Sequence, residues 1–267
     1  MKTFIKVIKY LALALAISII MGIISAIYYL GDSLSSLFVN EAVSDNVNIF
    51  DYDDDVSVLN ITIKASKLVI KDGDNLRVES NNKYIKVNNS NNKLDIVEDS
   101  HNFVHTNNSL VTVYVPNDMI FDKVYIETGA GSIDINVLSG REIKLDLGFG
   151  TLLVNNLIAL DKCDIDTGAG KVVINGANVN NLDLDIGSGE FTFNGVMNNN
   201  TDIDAGIGKV DINLLDSKDN YSIYVDKGIG NIIVDGQSME DESIYGNGYN
   251  KIEINGGIGS INVSFNE

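Results

Sequence analysis

Six aspartates recur in two columns along the second half of the chain: Asp164, Asp183 and Asp202, and Asp166, Asp185 and Asp204. The members of each pair stand two residues apart, and the pairs repeat every 19 residues. Glu127, Asp146 and Asp226 extend the second column. On alternating strands stacked about 4.8 Å apart, such acids form one outward stripe of like charge. A stripe of that kind either raises carboxylate pKa values or gathers cations. The chemistry expected is weak, multivalent Ca2+ or Mg2+ binding, with no other cofactor. A solvated face that keeps sheets from aggregating accounts for the same acids without a ligand.

Sharper motifs fail at specific positions. The calcium nonapeptide puts Asp two residues after its final Gly. Here those places hold an apolar column from Ile133 to Ile261. Asp51, Asp53 and Asp55 alternate as in an EF-hand loop, which needs Gly at position six and Glu at twelve. Val56 and Thr62 stand there instead, and a solvated acidic turn is expected. The two histidines, His101 and His105, have a spacing that makes a helical ligand pair. Their surroundings, EDSHNFVH, carry no helical pattern. Both lie in one segment, so no Ser-His-Asp set is visible. Each G-x-G is followed by a strand rather than the helix a dinucleotide loop requires. A sugar-cleaving enzyme is the strongest catalytic rival. Against it, tryptophan is absent and the acids recur uniformly instead of converging. No enzyme is expected. Tyr245 and Tyr249 sit in the longest insertion, 236–250, as candidate exposed anchors for a partner on a surface loop, and a merely tolerated surface loop accounts for the same residues.

These residues are positioned by a repeat. G-x-G recurs at Gly129, Gly148, Gly168, Gly187, Gly206, Gly228 and Gly257, at offsets of 19, 20, 19, 19, 22 and 29. Short alternating runs flank each one, the signal of strands with one buried face. Aligned on the first Gly, Val124, Ile143, Cys163, Leu182, Thr201, Ile223 and Ile252 form one column. Three further columns begin at Ile126, Ile133 and Ile135 and are apolar throughout. Cys163 therefore reads as a small buried hydrophobe. One position past the last column stand Asn136, Asn155, Asn175, Asn194 and Asn213, then Asp235. Stacked Asn side chains bond along a parallel stack. The fold expected is all-β, a parallel β-solenoid (β-helix), with an antiparallel β-meander or sandwich as the alternative. Residues 56–115 read as strands without G-x-G: VSVLNITI, KLVIKD, LRVES, YIKVNN, KLDIVED and SLVTVYVP. They are expected to form irregular opening turns and a cap, closed by Pro116. The final strand, SINVSF, is expected to leave unpaired backbone that a partner or a segment from 31–50 covers.

Lys2, Lys6 and Lys9 precede 21 uncharged residues, Tyr10–Leu30. At about 1.5 Å per residue that run spans a bilayer. The lysines place the N-terminus in the cytoplasm and the remainder outside. An uncleaved transmembrane anchor is expected rather than a signal peptide, whose apolar core is shorter. The domain layout is a stub and anchor at 1–30, a tether at 31–50 and the ectodomain at 51–267, irregular to 122 and regular from 123. A net charge of −18, with Arg77 and Arg141 the only arginines, argues against nucleic acid. A single cysteine excludes a disulfide framework.

An N-terminal apolar helix, irregular strands ending in VTVYVP and repeated ETGAGSIDIN-like units together resemble the bacterial putative-adhesin family. This is a β-strand-repeat domain of unknown function, similar to the head domains of putative autotransporter adhesins. The resemblance spans roughly residues 45–267. It implies a β-solenoid at the cell envelope and offers no catalytic motif. The function expected is non-enzymatic binding at the bacterial cell envelope from a single-pass membrane anchor. The alternative is an accessory or sensory ectodomain that contacts another membrane protein. About seven regular turns extend only roughly 35 Å at 4.8 Å each, which suits membrane-proximal partners.

Overall fold

The computed structural model describes residues 43–52, 56–99 and 108–266. The expected anchor, the tether before residue 43, Asp53, Asp55, His101 and His105 lie outside them. Among the described residues fifteen strands form: β1 (Val43–Tyr52), β2 (Val58–Ile63), β3 (Lys67–Asp72), β4 (Leu76–Asn82), β5 (Ile85–Ser90), β6 (Lys93–Glu98) and β7 (Leu110–Val115), then β8 (Phe121–Asn180), β9 (Leu182–Asn198), β10 (Asn200–Leu214), β11 (Tyr221–Asp226), β12 (Ile229–Val234), β13 (Gln237–Ser238), β14 (Ser243–Gly246) and β15 (Asn250–Phe265). A short 3-10 turn at Lys218–Asn220 precedes β11. Among the described residues no helix is long and apolar enough to cross a membrane.

Alternation dictates the architecture. Every residue of the four aligned columns is buried, from Val124 and Ile126 through Ile261 and Val263. Their outward neighbours stay wet, so the apolar stripes of successive rungs meet in one continuous core. Cys163 lies in it, fully buried. Rungs stack in parallel: Ile165 pairs with Leu184, Leu184 with Ile203, and Ile203 with Ile254. The parallel solenoid is therefore the arrangement, and the meander is not. A third side, which the alternation count did not resolve, closes the middle rungs. There Ala177–Asn180 pair with Gly195–Asn198, and Leu138, Leu157, Val179 and Met197 are buried.

The ends depart from simple succession. Chain order runs β10, then β11 and β12, then β15. In space β15 lies between, paired with β10 on one side and with β11 and β12 on the other. The opposite end mirrors this. There β2 and β3 lie between β8 and the later strands β6 and β7. Interleaving has a physical use. The chain linking two interleaved rungs must return along the outside, and it lays down antiparallel strands as it goes. Thus β5 covers β6, β4 covers β7 and β1 covers β4 at one end. At the other end β14 covers β11 and β13 covers β12. The expected open backbone on the last strand is corrected accordingly. β15 is paired on both edges, and neither a partner nor residues 31–50 is needed to cover it.

Two corners turn the chain on every rung. At the first, glycine backbone stacks on glycine backbone. Gly170 has φ +152°, a region side chains rarely enter, and a Cβ there would collide with the carbonyl oxygen of Gly150. At the second corner side chains stack. Asn155 Nδ2 donates to Asn136 Oδ1 at 3.2 Å, and Asn175 Nδ2 donates to Asn155 Oδ1 at 3.3 Å. Farther along, Asn213 Nδ2 donates to Asn194 Oδ1 at 3.2 Å. The ladder breaks between Asn175 and Asn194, where the register shifts between Ile174 and Ala177. It ends on other residues: Asn136 donates to Asp72 at 3.0 Å, and Ser264 meets Asn213 at 3.2 Å.

The glycine corner begins at Lys64–Ser66, where the Lys64 carbonyl accepts from Ala130 N–H at 2.8 Å. Its outer side is capped by one side chain. Glu98, 2% exposed, accepts from the backbone N–H of Lys64, Ala65 and Ser66 at 2.8, 3.0 and 3.2 Å. It also accepts from the Ser66 hydroxyl at 3.0 Å and Asn82 Nδ2 at 2.9 Å. A carboxylate thus stands where the next rung's carbonyls would be, and five donors offset its desolvation.

Candidate functional site

The outward residues beside the glycine corner form two acid columns on the first sheet. In one, Asp164 stacks on Asp183, Asp183 on Asp202, and Asp202 on Glu253. In the other, Asp166 stacks on Asp185, Asp185 on Asp204, and Asp204 on Asn255. Interleaving puts Asn255 between Asp204 and Asp226. The stripe therefore carries a neutral gap that chain order does not reveal. All six predicted aspartates share one face, as the alternation requires. Asp183, Asp185, Asp202 and Asp204 are exposed, and Asp164 and Asp166 are half-buried.

Charge along the columns is uneven. Lys144 Nζ lies 2.6 Å from Asp166 Oδ2, and Lys162 Nζ lies 2.7 Å from Asp164 Oδ1. Among the described residues no lysine or arginine nitrogen lies within ion-pair distance of Asp183, Asp185, Asp202 or Asp204. The carboxyl of Asp185 is held above its ordinary range, first by partial burial and then by the charges of Asp166, Asp204 and Asp183. Asp202 is raised by burial and then by Asp204, Glu253 and Asp183. Asp146 is raised by burial and then by Asp166.

Asp146, Asp166, Asp185, Asp204 and Asp226 edge a shallow, open trough of about 660 Å³ that the side-chain-free glycine corner leaves. A tight calcium site wraps six to eight oxygens around one ion. A flat ladder presents at most one carboxylate per rung in each column. Among the described residues no group of three or more His, Cys, Asp or Glu side chains is arranged to hold a metal ion.

The other candidates lie apart. Asp51 is exposed on β1. Burial pushes the Cys163 thiol up to about 12, which removes its nucleophilic form at neutral pH. Tyr245 is half-buried against the body of the solenoid. Its hydroxyl donates to Asp235 Oδ2 at 2.9 Å, and its ring stacks on Phe265 with centroids 5.9 Å apart. Tyr249 is 72% exposed. The structure does not bring the two tyrosines onto the acid columns. The insertion that carries them supplies β13 and β14, so much of it is end cap rather than free loop.

Two features escaped the sequence reading. One is Glu98, which sits in an ordinary alternating strand and whose capping role needs the interleaved end to be seen. The other is a second asparagine cluster. There Asn198 donates to Asn178 at 2.8 Å and Asn199 to Asn180 at 2.9 Å. Its sequence signal is the Asn-rich runs at 178–181 and 198–200. Asn181 and Asn199 adopt φ of 48° and 65° there, the left-handed region that Asn tolerates.

No curated protein matches the chain. Among solved structures, a putative cell adhesion protein from Clostridium sporogenes is 18% identical, with 83% of this chain and 99% of that chain covered and a TM-score of 0.32. A putative adhesin from Parabacteroides merdae is 12% identical, covering 85% and 98%, with a TM-score of 0.38. A putative lipid binding protein from Parabacteroides distasonis is 11% identical, covering 84% and 98%, with a TM-score of 0.33. The family model Toastrack DUF4097 matches residues 34–263, most of the sequence including every G-x-G unit. With the stacked G-x-G rungs in view, the chain belongs to the Toastrack DUF4097 family.

Proposed function

We propose that this chain is a non-enzymatic, membrane-anchored binding domain at the bacterial cell envelope, with its N-terminus cytoplasmic and its β-repeat outside. One observation carries the reading. Acids recur at the same two outward positions on three successive rungs, Asp164 and Asp166, Asp183 and Asp185, Asp202 and Asp204, so this face offers a periodic array rather than a convergent site. Catalysis needs unlike groups brought to one point, whereas a ladder suits repeated weak contacts. The anchoring half of the proposal rests on the uncharged run Tyr10–Leu30 behind three lysines.

A second reading, an accessory ectodomain that contacts a neighbouring membrane protein, is favoured by the short reach. The seven G-x-G rungs and the two rungs of β2–β3 and β6–β7, stacked at about 4.8 Å, rise only about 40 Å. The acid columns add weak association with Ca2+ or Mg2+. Titration calorimetry with millimolar Ca2+ should give low-affinity heat that is lost when Asp183, Asp185, Asp202 and Asp204 are all changed to Asn. No heat from the parent protein would remove that element.

The reading as a whole is tested by crosslinking the full-length protein in its own cells and identifying what is captured. Reproducible capture of one or two membrane proteins supports the accessory ectodomain. Binding of the purified protein to envelope glycans, without such capture, supports surface display. Recovery of the protein in the soluble cytoplasm would overturn both.

A further inference from the structure

Among the described residues, each of the two long sheets finishes in an antiparallel strand whose outer edge pairs with no other strand. The first sheet runs from β5 at one end to β14 at the other. The second runs from β1 to β13. Among the described residues no strand pairs with the outer edge of any of these four. Edges left this way are templates for strand addition.

The two ends of the first sheet differ in charge. At the β5 end, Lys83 and Lys86 are exposed. At the β14 end, Glu240, Asp241 and Glu242 are exposed in the turn that leads into the strand. Both strands run against the rungs they cover. When the β14 end of one copy meets the β5 end of another with rungs running the same way, β14 and β5 are therefore parallel. Parallel pairing brings their N-terminal ends together. The Asp241-Glu242 turn then faces Lys83 and Lys86, and the inward residue Ser243 continues the row that Val87 occupies. Like ends brought together would instead set lysine against lysine or acid against acid. Lys86 pairs with Asp99 at the surface, and exposed ion pairs of that kind are weak enough to exchange.

We propose that a second copy of this chain docks head to tail, β14 of one against β5 of the next, continuing the first sheet across the junction. A head-to-tail contact is heterologous, so its repetition builds an open stack rather than a closed dimer. The inference holds whether or not the chain is anchored, and it goes beyond the binding role proposed above.

The test uses two single variants of the full-length protein, Asn88→Cys and Ile244→Cys. Both positions face outward at opposite ends of the first sheet, and the native Cys163 is buried and silent. The purified chains are treated with a short bifunctional maleimide at about 0.15 M salt, where the screening length of about 8 Å mutes long-range repulsion between two acidic chains. The proposal expects a crosslinked dimer from the mixture and none from either variant alone. It also expects Lys83→Glu with Lys86→Glu, added to the Asn88→Cys chain, to cut the yield about tenfold, the scale on which interface charges act. Combining that chain with an Ile244→Cys partner carrying Asp241→Lys and Glu242→Lys should restore the yield. This rescue separates lost docking from lost folding. Dimers from one variant alone would show like-end contact and overturn the proposal, as would the absence of product from the mixture.

Discussion

The glycine corner and the asparagine corner turn the same chain on the same rungs, yet they do so by opposite means. At the first, backbone lies against backbone, and the position of Gly170 has no room for a side chain. At the second, side chains build the corner, bonding Asn155 to both Asn136 and Asn175. One requirement is steric, and each rung must satisfy it alone. The other is cooperative, and it tolerates replacement at its ends, where Asp72 and Ser264 take the place of Asn. The difference teaches which positions of the repeat carry its geometry and which only add to it.

Breaking the first corner should cost the most. Gly170→Ala combines a disfavoured backbone conformation with a clash against the Gly150 carbonyl, and is expected to lose about 3 kcal/mol or more. Chemical denaturation measures this, with Ala169→Ser, at the middle position of the same corner, as the tolerated control. Next comes the place where the glycine column gives way to a side chain. Glu98→Ala takes the carboxylate acceptor from three backbone N–H groups, that of Ser66 buried and those of Lys64 and Ala65 half-buried, and should cost about 3 kcal/mol. Denaturation of that variant should also expose the β2–β6 end to proteolysis before the G-x-G rungs.

The asparagine corner should yield less. Asn155→Ala removes two ladder bonds on an exposed edge, and a loss of about 1 kcal/mol is expected. If it proved as costly as Gly170→Ala, the contrast between the corners would collapse. The smallest effect belongs to the acid face. Asp185 has a raised pKa in the folded chain, so its ionised form is disfavoured by folding. The folded state then binds more protons than the unfolded one between the two pKa values, and stability falls as pH rises through that window. Asp185→Asn should therefore raise Tm slightly at neutral pH, within the roughly 0.5 kcal/mol usual for surface changes. That gain should vanish as pH falls through the raised carboxylate pKa. Thermal unfolding of both proteins across pH checks the sign.

Much of this was legible because the repeat leaves the same mark many times. The four apolar columns, the outward acids and the first asparagine ladder each rest on a rule that most rungs obey. The third side was harder to see, since Leu138, Leu157, Val179 and Met197 do not keep one offset from the glycines. The ends were illegible for a different reason. Spacing shows that Ile223 and Ile252 occupy equivalent positions, but alternation is blind to which of them touches the rung of Thr201. The structure places Ile252 there. That single exchange hides the gap at Asn255 in the acid stripe and converts much of the Tyr245 insertion into a cap. Glu98 was missed because nothing local distinguishes a capping carboxylate from an ordinary strand residue.

Rung order is the claim on which the site, the caps and the docking edges all depend, and cysteine pairs report it directly. Asp204, Asn255 and Asp226 face outward on the first sheet in that spatial order. Neighbouring parallel strands lie within disulfide reach, and strands two apart do not. Asp204→Cys with Asn255→Cys should oxidise readily to an intramolecular bridge, and so should Asp226→Cys with Asn255→Cys. Asp204→Cys with Asp226→Cys should stay reduced under the same conditions. A bridge in that last pair, with none in the first, would mean that the rungs stack in chain order and would contradict the interleaved end.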